Sequence, residues 1–301
     1  MSQVIHVADA PLVTILMASH NHEAFVAEAL ESAIAQDHPN LQIVIADDAS
    51  SDRTRDITRD YAARYPQLIK PVLNREHLGV AGNFNSALEH CTGKYVCFLG
   101  ADDLYLPGKI SRQVEWFEER PERVLCGHQV EVFYEDGSRP HRFQRRLRQG
   151  RGARPIVRYG AFAACSIMVR ADRIPSYGFD ERLSLVSDYK FFVDVVGEDG
   201  EFGYIPGTYA RYRRHGSNAS ANAPAMIADV ARALALVEGQ FPQFARECRG
   251  MAARLVQFQR GQLRLAQGDR SAARRDFLKA IREEPTFVRP WIALMKTLGP
   301  G

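Results

Sequence analysis

The apolar run Tyr95-Val96-Cys97-Phe98-Leu99, followed at once by Gly100-Ala101-Asp102-Asp103, constrains the fold more than any other stretch of the chain. An unbroken apolar run of this length reads as a strand covered on both faces, the pattern of a parallel sheet. In open parallel sheets ligands collect beyond the carboxyl ends of the strands. Two adjacent carboxylates at such an end suit a hard divalent cation such as Mg²⁺ or Mn²⁺, with a solvated loop ahead of Pro107-Gly108 as the alternative.

The same arrangement recurs upstream. Val13 to Met17 is a short β-prone run, and Val26, Ala29, Leu30, Ala33 and Ile34 fall at helical spacing within Phe25 to Ala35. His38-Pro39-Asn40 breaks that helix, and Gln42 to Ala46 forms a second buried strand ending at Asp47-Asp48. Ser50-Ser51-Asp52 has the side chains to cap a helix through Tyr61. A weaker strand at Ile69 to Leu73, a turn at Gly79 to Gly82 and a helix around Phe84 to His90 lead into the strand that ends at Leu99. Repeated βα units predict an α/β, Rossmann-like, mainly parallel sheet with helices on both faces. From Ala225 the β-prone runs stop, and Ile227, Val230, Leu234 and Val237 predict helix up to a break at Phe241-Pro242.

Composition narrows the classes. With 301 residues, 46% hydrophobic and 25% charged, the chain can bury a full core in about two domains. Its apolar stretches are too short for a membrane helix, and Asp9 and His6 stand where a leader would carry a basic start and an apolar core. A cytoplasmic protein is the expectation. The five cysteines are scattered without paired close spacing, which predicts free, buried thiols and neither a disulfide framework nor a thiolate zinc site. The net charge of +3 conceals a basic segment, because Arg139, Arg142, Arg145, Arg146, Arg148, Arg151, Arg154 and Arg158 lie in a stretch without acids. That segment reads either as a solvated loop or as a patch for an anionic acceptor or a membrane surface. With one aromatic, Phe143, it lacks the interleaving that nucleic acid would favour.

The ordered blocks Val13-Thr14-Ile15-Leu16, Asn21, Gln36, Pro39-Asn40, Val44 to Asp52, Gly79-Val80, Asn85, Gly93 to Val96 and Asp102-Asp103 resemble the family 2 glycosyltransferases of GT-A fold. The similarity continues through Tyr177 to Glu181, Ser187-Asp188-Tyr189 and Tyr212 to Asn218. It implies a GT-A catalytic domain over residues 1–222, followed by a helical domain over 223–301. It also implies an inverting, metal-dependent transfer from a nucleotide-sugar donor. Asp48 would accept a hydrogen bond from the uracil imide, which favours a UDP-sugar, while Asp47 is the structural member of that pair. Ala18, Ser19 and Asn21 would lie against the nucleotide, Asp102 against the ribose or a metal-bound water, and Arg213 against the diphosphate. Asp103 and His215 would hold Mn²⁺ or Mg²⁺, and Asp188 would be the catalytic base, opening its helix as a cap in any case. The implied acceptor is a glycan or an undecaprenyl-pyrophosphate-linked sugar in bacterial surface polysaccharide assembly, with peripheral membrane contact through Arg139 to Arg158. Without a Gln-x-x-Arg-Trp block, addition of a single sugar is expected.

Three positions depart from the family pattern: Gly100 where many relatives carry a further Asp, Phe84 in place of a frequent Arg, and Ser187 where Glu is usual. The first of them, Gly100, leaves room for a second reading, a catalytically silent nucleotide-sugar binder that recruits partners through its tail. A nucleotidyltransferase would need a Gly-rich basic loop behind the first strand, and Ala18-Ser19-His20-Asn21 is not one. In the tail, Gly261, Ala273, Phe277, Ala280 and Pro285, with a turn at Gly268-Asp269, resemble one tetratricopeptide repeat lacking its consensus Trp and Tyr. A lone repeat leaves an apolar face open. Leu255, Phe258, Leu263, Phe277, Ile281 and Trp291 are therefore expected to pack on the catalytic domain or on a second copy in a homodimer.

Overall fold

The computed structural model describes residues 10–143, 149–160, 163–216 and 222–297. They fall into two compact units. The first holds the chain up to Ala153 with Phe162–Glu181 and Asp194–Gly216; the second holds Arg154–Ala161, Arg182–Val193 and everything from Ser217. Two short stretches that precede residue 222 thus group with the helical tail.

The first unit is built on a sheet of ten strands: β1 (Val13–Ser19), β2 (Leu41–Asp47), β3 (Ile69–Leu73), β4 (Tyr95–Gly100), β5 (Leu104–Tyr105), β6 (Arg123–Tyr134), β7 (His141–Arg142), β8 (Gly150–Arg151), β9 (Met168–Arg170) and β10 (Glu201–Arg214). The order is β3-β2-β1-β4-β9-β6-β10-β5, with β7 on β6 and β8 on β10. β3, β2, β1 and β4 run parallel, as do β6 and β10, whereas β9 is antiparallel to both β4 and β6. Helices α1 (Val26–Ile34), α2 (Thr54–Arg64), α3 (Gly79–Leu88) and α4 (Lys109–Glu118) alternate with the strands.

Alternate residues of β1, β2 and β4 (Ile15, Met17, Ile43, Ile45, Cys97 and Leu99) join Val26, Ala29, Leu30 and Ala33 of α1 in one buried cluster. Each large side chain buried there contributes about 1.5–3 kcal/mol. The in-line register matters most for function. Ala18 pairs with Ala46 on one side and Gly100 on the other, so the three strands end side by side.

Two sequence expectations change. The turn expected at Gly79 to Gly82 is the first turn of α3, which begins at Gly79 and ends at Leu88. The reason is a cap supplied from another element: the N–H groups of Leu78 and Gly79 donate to the two oxygens of Asp48, at 2.6 and 3.0 Å. That carboxylate satisfies amides a helix start leaves free and complements its dipole. The arginine-rich segment is also not one loop, since it contains β7, β8 and a short helix, α5 (Arg154–Tyr159). Arg145, Arg146 and Arg148 lie outside the described residues, as do Ser217 and Asn218.

Through Ser187 to Val193 the second unit contains most of α6 (Ser187–Val196), followed by α7 (Ala223–Gln240), α8 (Ala245–Met251), α9 (Phe258–Ala266), α10 (Arg270–Glu283) and α11 (Val288–Lys296). A π-helical stretch, Ala252–Gln257, joins α8 to α9. Asn222 caps α7 and Asp269 caps α10, each accepting a backbone N–H three residues ahead. α9 and α10 approach closely at Gly261, where a Cβ would stand 2.5 Å from the Phe277 ring. Phe258, Ala273, Phe277 and Ala293 form the local core, with Leu265, Phe287 and Leu294 against it. Packing on another domain is therefore not required to cover Phe258 and Phe277, because the hairpin and α11 cover them. Leu255 and Trp291, expected to pack on the catalytic domain or on a second copy, are 39% and 49% exposed in the single chain. The cysteines are free, and all but the half-buried Cys91 are buried. Among the described residues no helix is long and apolar enough to cross a membrane.

Candidate active site

The side-by-side strand ends bring Ala18-Ser19, Asp47-Asp48 and Gly100 to Asp103 together at one edge of the first unit. Asp47 is fully buried and fixes the bend after β2. It accepts from the Ser50 N–H (3.0 Å) and hydroxyl (2.5 Å), and Arg55 lies 3.5 Å away. Asp48, besides capping α3, meets His77 Nδ1 at 2.8 Å, and His20 Nδ1 donates to its carbonyl at 2.7 Å. Asp47 is thus structural, and Asp48 faces the loop ahead of α3.

Residues expected at the nucleotide have structural duties as well. The Ser19 hydroxyl donates to Ala46 O at 3.2 Å. Asn21 adopts a left-handed φ of 54°, which asparagine tolerates. Its N–H donates to the Ser50 hydroxyl and its Oδ1 accepts from Ser51 N–H, both at 2.9 Å, tying the loop after β1 to the loop after β2. Ala18 is half-buried, and its carbonyl accepts from Ala101 N–H.

Beyond β4, the long strand β10 delivers Arg213 and His215. Arg213 is buried: its N–H donates to Asp103 Oδ1 (3.0 Å), its Nε to Asp102 O (2.8 Å), and its guanidinium pairs with Glu28 of α1 at 2.5 Å. The structure therefore has this arginine bracing the acidic loop. His215, with a side chain 3% exposed, sets Nε2 3.0 Å from Asp102 Oδ2, so the imidazole meets Asp102 and not Asp103. The Phe25 ring lies tilted against that of His215, with centroids 4.9 Å apart.

Asp103 is buried beside Cys165, and its carboxyl is pushed well above the usual carboxylate range, first by burial and then by the neighbouring Asp102 charge. A Cβ on Gly100 would come within 2.5 Å of Asp102 Oδ1 and 3.5 Å of Asp103 Oδ2. The glycine is thus the space over which both carboxylates lean. His22, from the loop after β1, completes the group. Ligand atoms of His22, Asp102 and His215 all lie within 4.8 Å of one another. Burial lowers the His22 pKa, against the pull of Asp102. Its Nδ1 is buried and has no hydrogen-bond partner. One carboxylate and two imidazoles, one of them with an orphaned ring nitrogen, fit a divalent cation.

Asp188 belongs to the second unit, at the second residue of α6. Its Oδ1 accepts from Tyr189 N–H at 2.7 Å, and loss of solvation pushes its carboxyl up to about 6. Within that unit the buried Asp229 of α7 accepts the Leu185 and Val186 N–H groups, at 2.7 and 3.0 Å, which fixes the approach to α6. Sequence reasoning missed Asp229, although an acid between Ile227 and Val230 on an apolar helix face was a usable signal. It also passed over Glu28.

Comparison with known proteins gives a consistent result. The uncharacterized protein Rv1520 of Mycobacterium tuberculosis is 36% identical over 210 residues, covering 67% of this chain and 59% of that protein's length. The putative teichuronic acid biosynthesis glycosyltransferase TuaG of Bacillus subtilis is 36% identical over 110 residues, covering 36% of this chain and 43% of its own. Among solved structures, S. aureus TarS 1-349 in complex with UDP-GlcNAc superposes with a TM-score of 0.68 at 13% identity, covering 95% of this chain and 88% of that one, a likeness of fold. The profile of Glycosyl transferase family 2 matches residues 14–173. That span exceeds half of the chain and takes in β1, Asp48, Asp102 and Asp103, so the chain belongs to glycosyl transferase family 2.

Proposed function

We propose that the chain is an inverting, metal-dependent glycosyltransferase that moves one sugar from a UDP-sugar to a glycan or lipid-linked acceptor in bacterial surface polysaccharide assembly. The observation that carries this reading is the meeting of Asp48, the Asp102-Asp103 pair and His215 at the adjoining ends of β1, β2 and β4. Asp48 receives the base, its oxygens accepting from the uracil imide N–H. Ala18, Ser19 and Asn21 line the nucleotide side, and Arg213 holds the acidic loop beneath the diphosphate. Asp102, Asp103 and His215 hold Mn²⁺ or Mg²⁺, which when bound neutralises charge on the departing diphosphate.

Asp188 takes the proton from the acceptor hydroxyl. As that oxygen bonds to the anomeric carbon, the bond from this carbon to the diphosphate oxygen breaks on the opposite face, and the configuration inverts. A carboxyl raised to about 6 suits a base working near neutrality. The Arg139 to Arg158 stretch attracts an anionic acceptor or membrane surface. TuaG, named for teichuronic acid biosynthesis, and TarS, solved with UDP-GlcNAc, support the setting and the donor.

The test is thermal stabilisation by UDP, GDP, CDP and dTDP, each with Mn²⁺, Mg²⁺ or EDTA, since a ligand of the native state raises its apparent stability. A shift for UDP that EDTA abolishes is expected. An equal shift in EDTA would overturn the cation assignment, and a preference for GDP the role of Asp48. UDP-sugar binding with neither hydrolysis nor transfer to any acceptor would favour the silent binder.

A further inference from the structure

The loop after β1 holds one residue tightly without using its side chain. His22 N–H donates to the Thr54 hydroxyl at 2.8 Å, while its carbonyl accepts the N–H groups of Phe25 and Val26, both at 2.9 Å, at the start of α1. Asn21, immediately before it, is anchored to Ser50 and Ser51. The backbone on either side is therefore fixed. The imidazole nevertheless leaves Nδ1 buried and unpartnered, a loss of about 1–3 kcal/mol for a polar atom taken out of water. Its ring meets that of His215 edge-on, at 86° and 6.3 Å, and Phe25 lies against both rings. This is the arrangement of a ligand held in place ahead of its ion.

We propose that His22 is a further protein ligand of this cation site, beside Asp102 and His215, and that it makes the site select a transition ion over Mg²⁺. The inference rests on the cation reading given above. Two imidazole nitrogens and a carboxylate oxygen form a donor set that Mn²⁺, Co²⁺ and Zn²⁺ accept readily, whereas Mg²⁺ favours an all-oxygen octahedron. A site with the acids and one histidine would discriminate less. The separate group His20, Asp48 and His77 also has ligand atoms within 4.8 Å of one another. There Asp48 already accepts two backbone N–H groups and His77 is 63% exposed, so that group serves as the control.

The experiment titrates the full chain with MnCl₂ and MgCl₂ by calorimetry and follows CoCl₂ by its visible absorption, for the wild type, His22→Gln, His22→Glu and His77→Ala. Expected is tighter binding of Mn²⁺ than of Mg²⁺ in the wild type. His22→Gln should lower Mn²⁺ affinity by about 10- to 100-fold, change Mg²⁺ affinity little and alter the Co²⁺ spectrum. His22→Glu supplies oxygen in place of nitrogen and should shift preference toward Mg²⁺, a gain that misfolding would not produce. His77→Ala should match the wild type. Unchanged Mn²⁺ affinity and Co²⁺ spectrum in His22→Gln would overturn the inference alone. Absence of any divalent binding by the wild type would overturn the cation reading on which it rests.

Discussion

The chain carries two adjacent pairs of aspartates beyond neighbouring parallel strands, and their surroundings differ in kind. Around Asp47-Asp48 most partners are donors that fix shape, namely the Ser50 amide and hydroxyl and the amides that open α3, and the one imidazole on the Asp48 carboxylate, that of His77, is exposed. Around Asp102-Asp103 stand imidazoles and a thiol, and burial with mutual repulsion drives the Asp103 carboxyl up. The same dipeptide at the same kind of place thus meets mostly shape-fixing donors in one loop and two largely buried imidazoles in the other. What separates them is the type of donor opposite each carboxylate, which depends on distant segments.

The widest test of this contrast uses a third carboxylate, Asp188, whose raised pKa resembles that of Asp103. Asp188→Asn should lower transfer by about 10² to 10⁴ with little change in donor affinity. The wild-type rate should fall as pH drops through about 6, read from a kcat profile, because the base must be ionised. Its stability follows the opposite sign. A carboxyl whose folded pKa lies above the unfolded value destabilises the fold as pH rises through that interval, so Asp188→Asn should be more stable at pH 8, by roughly 1–3 kcal/mol.

Next in size, Asp47→Ala should cost about 3 kcal/mol or more in urea unfolding. It strands the Ser50 groups and leaves Arg55 without its carboxylate. Asp103→Asn should act in the reverse sense, stabilising the chain at pH 8 with a gain that shrinks on acidification, while weakening Mn²⁺ binding. A loss of stability for Asp103→Asn equal to that of Asp47→Ala would erase the contrast between the pairs. Smallest, Gly100→Ala should displace the Asp102 side chain and lower cation affinity several-fold, with a change in melting temperature near the limit of detection.

The α/β half was legible where local pattern and tertiary role agree. The runs Val13 to Met17, Gln42 to Ala46 and Tyr95 to Leu99 became β1, β2 and β4 with small shifts of boundary, since continuous apolar runs have no other stable place. β6 and β10 went unread. β6 alternates Val124, Cys126, His128, Val130 and Val132, a period that a search for solid apolar runs passes over. β10 carries Pro206 and Gly207, with register shifts against β6 between Tyr204 and Ala210, so its pattern is broken locally and restored only by the partner strand. The acids and His215 could be named from the family resemblance. The meeting of His215 with Asp102, the bracing role of Arg213 and the placement of His22 could not, because each depends on contacts across 80 residues of sequence or more.

The remote cap on α3 has a dynamic consequence. One carboxylate both closes the end of β2 and secures the first amides of a helix, so whatever engages Asp48 competes with Leu78 and Gly79 for the same lone pairs. On the proposed role of Asp48, a bound base would therefore be felt as a loosening of the helix start. Deuterium uptake at those two amides, rising when a nucleotide binds, would make α3 a built-in reporter of the pocket beside it.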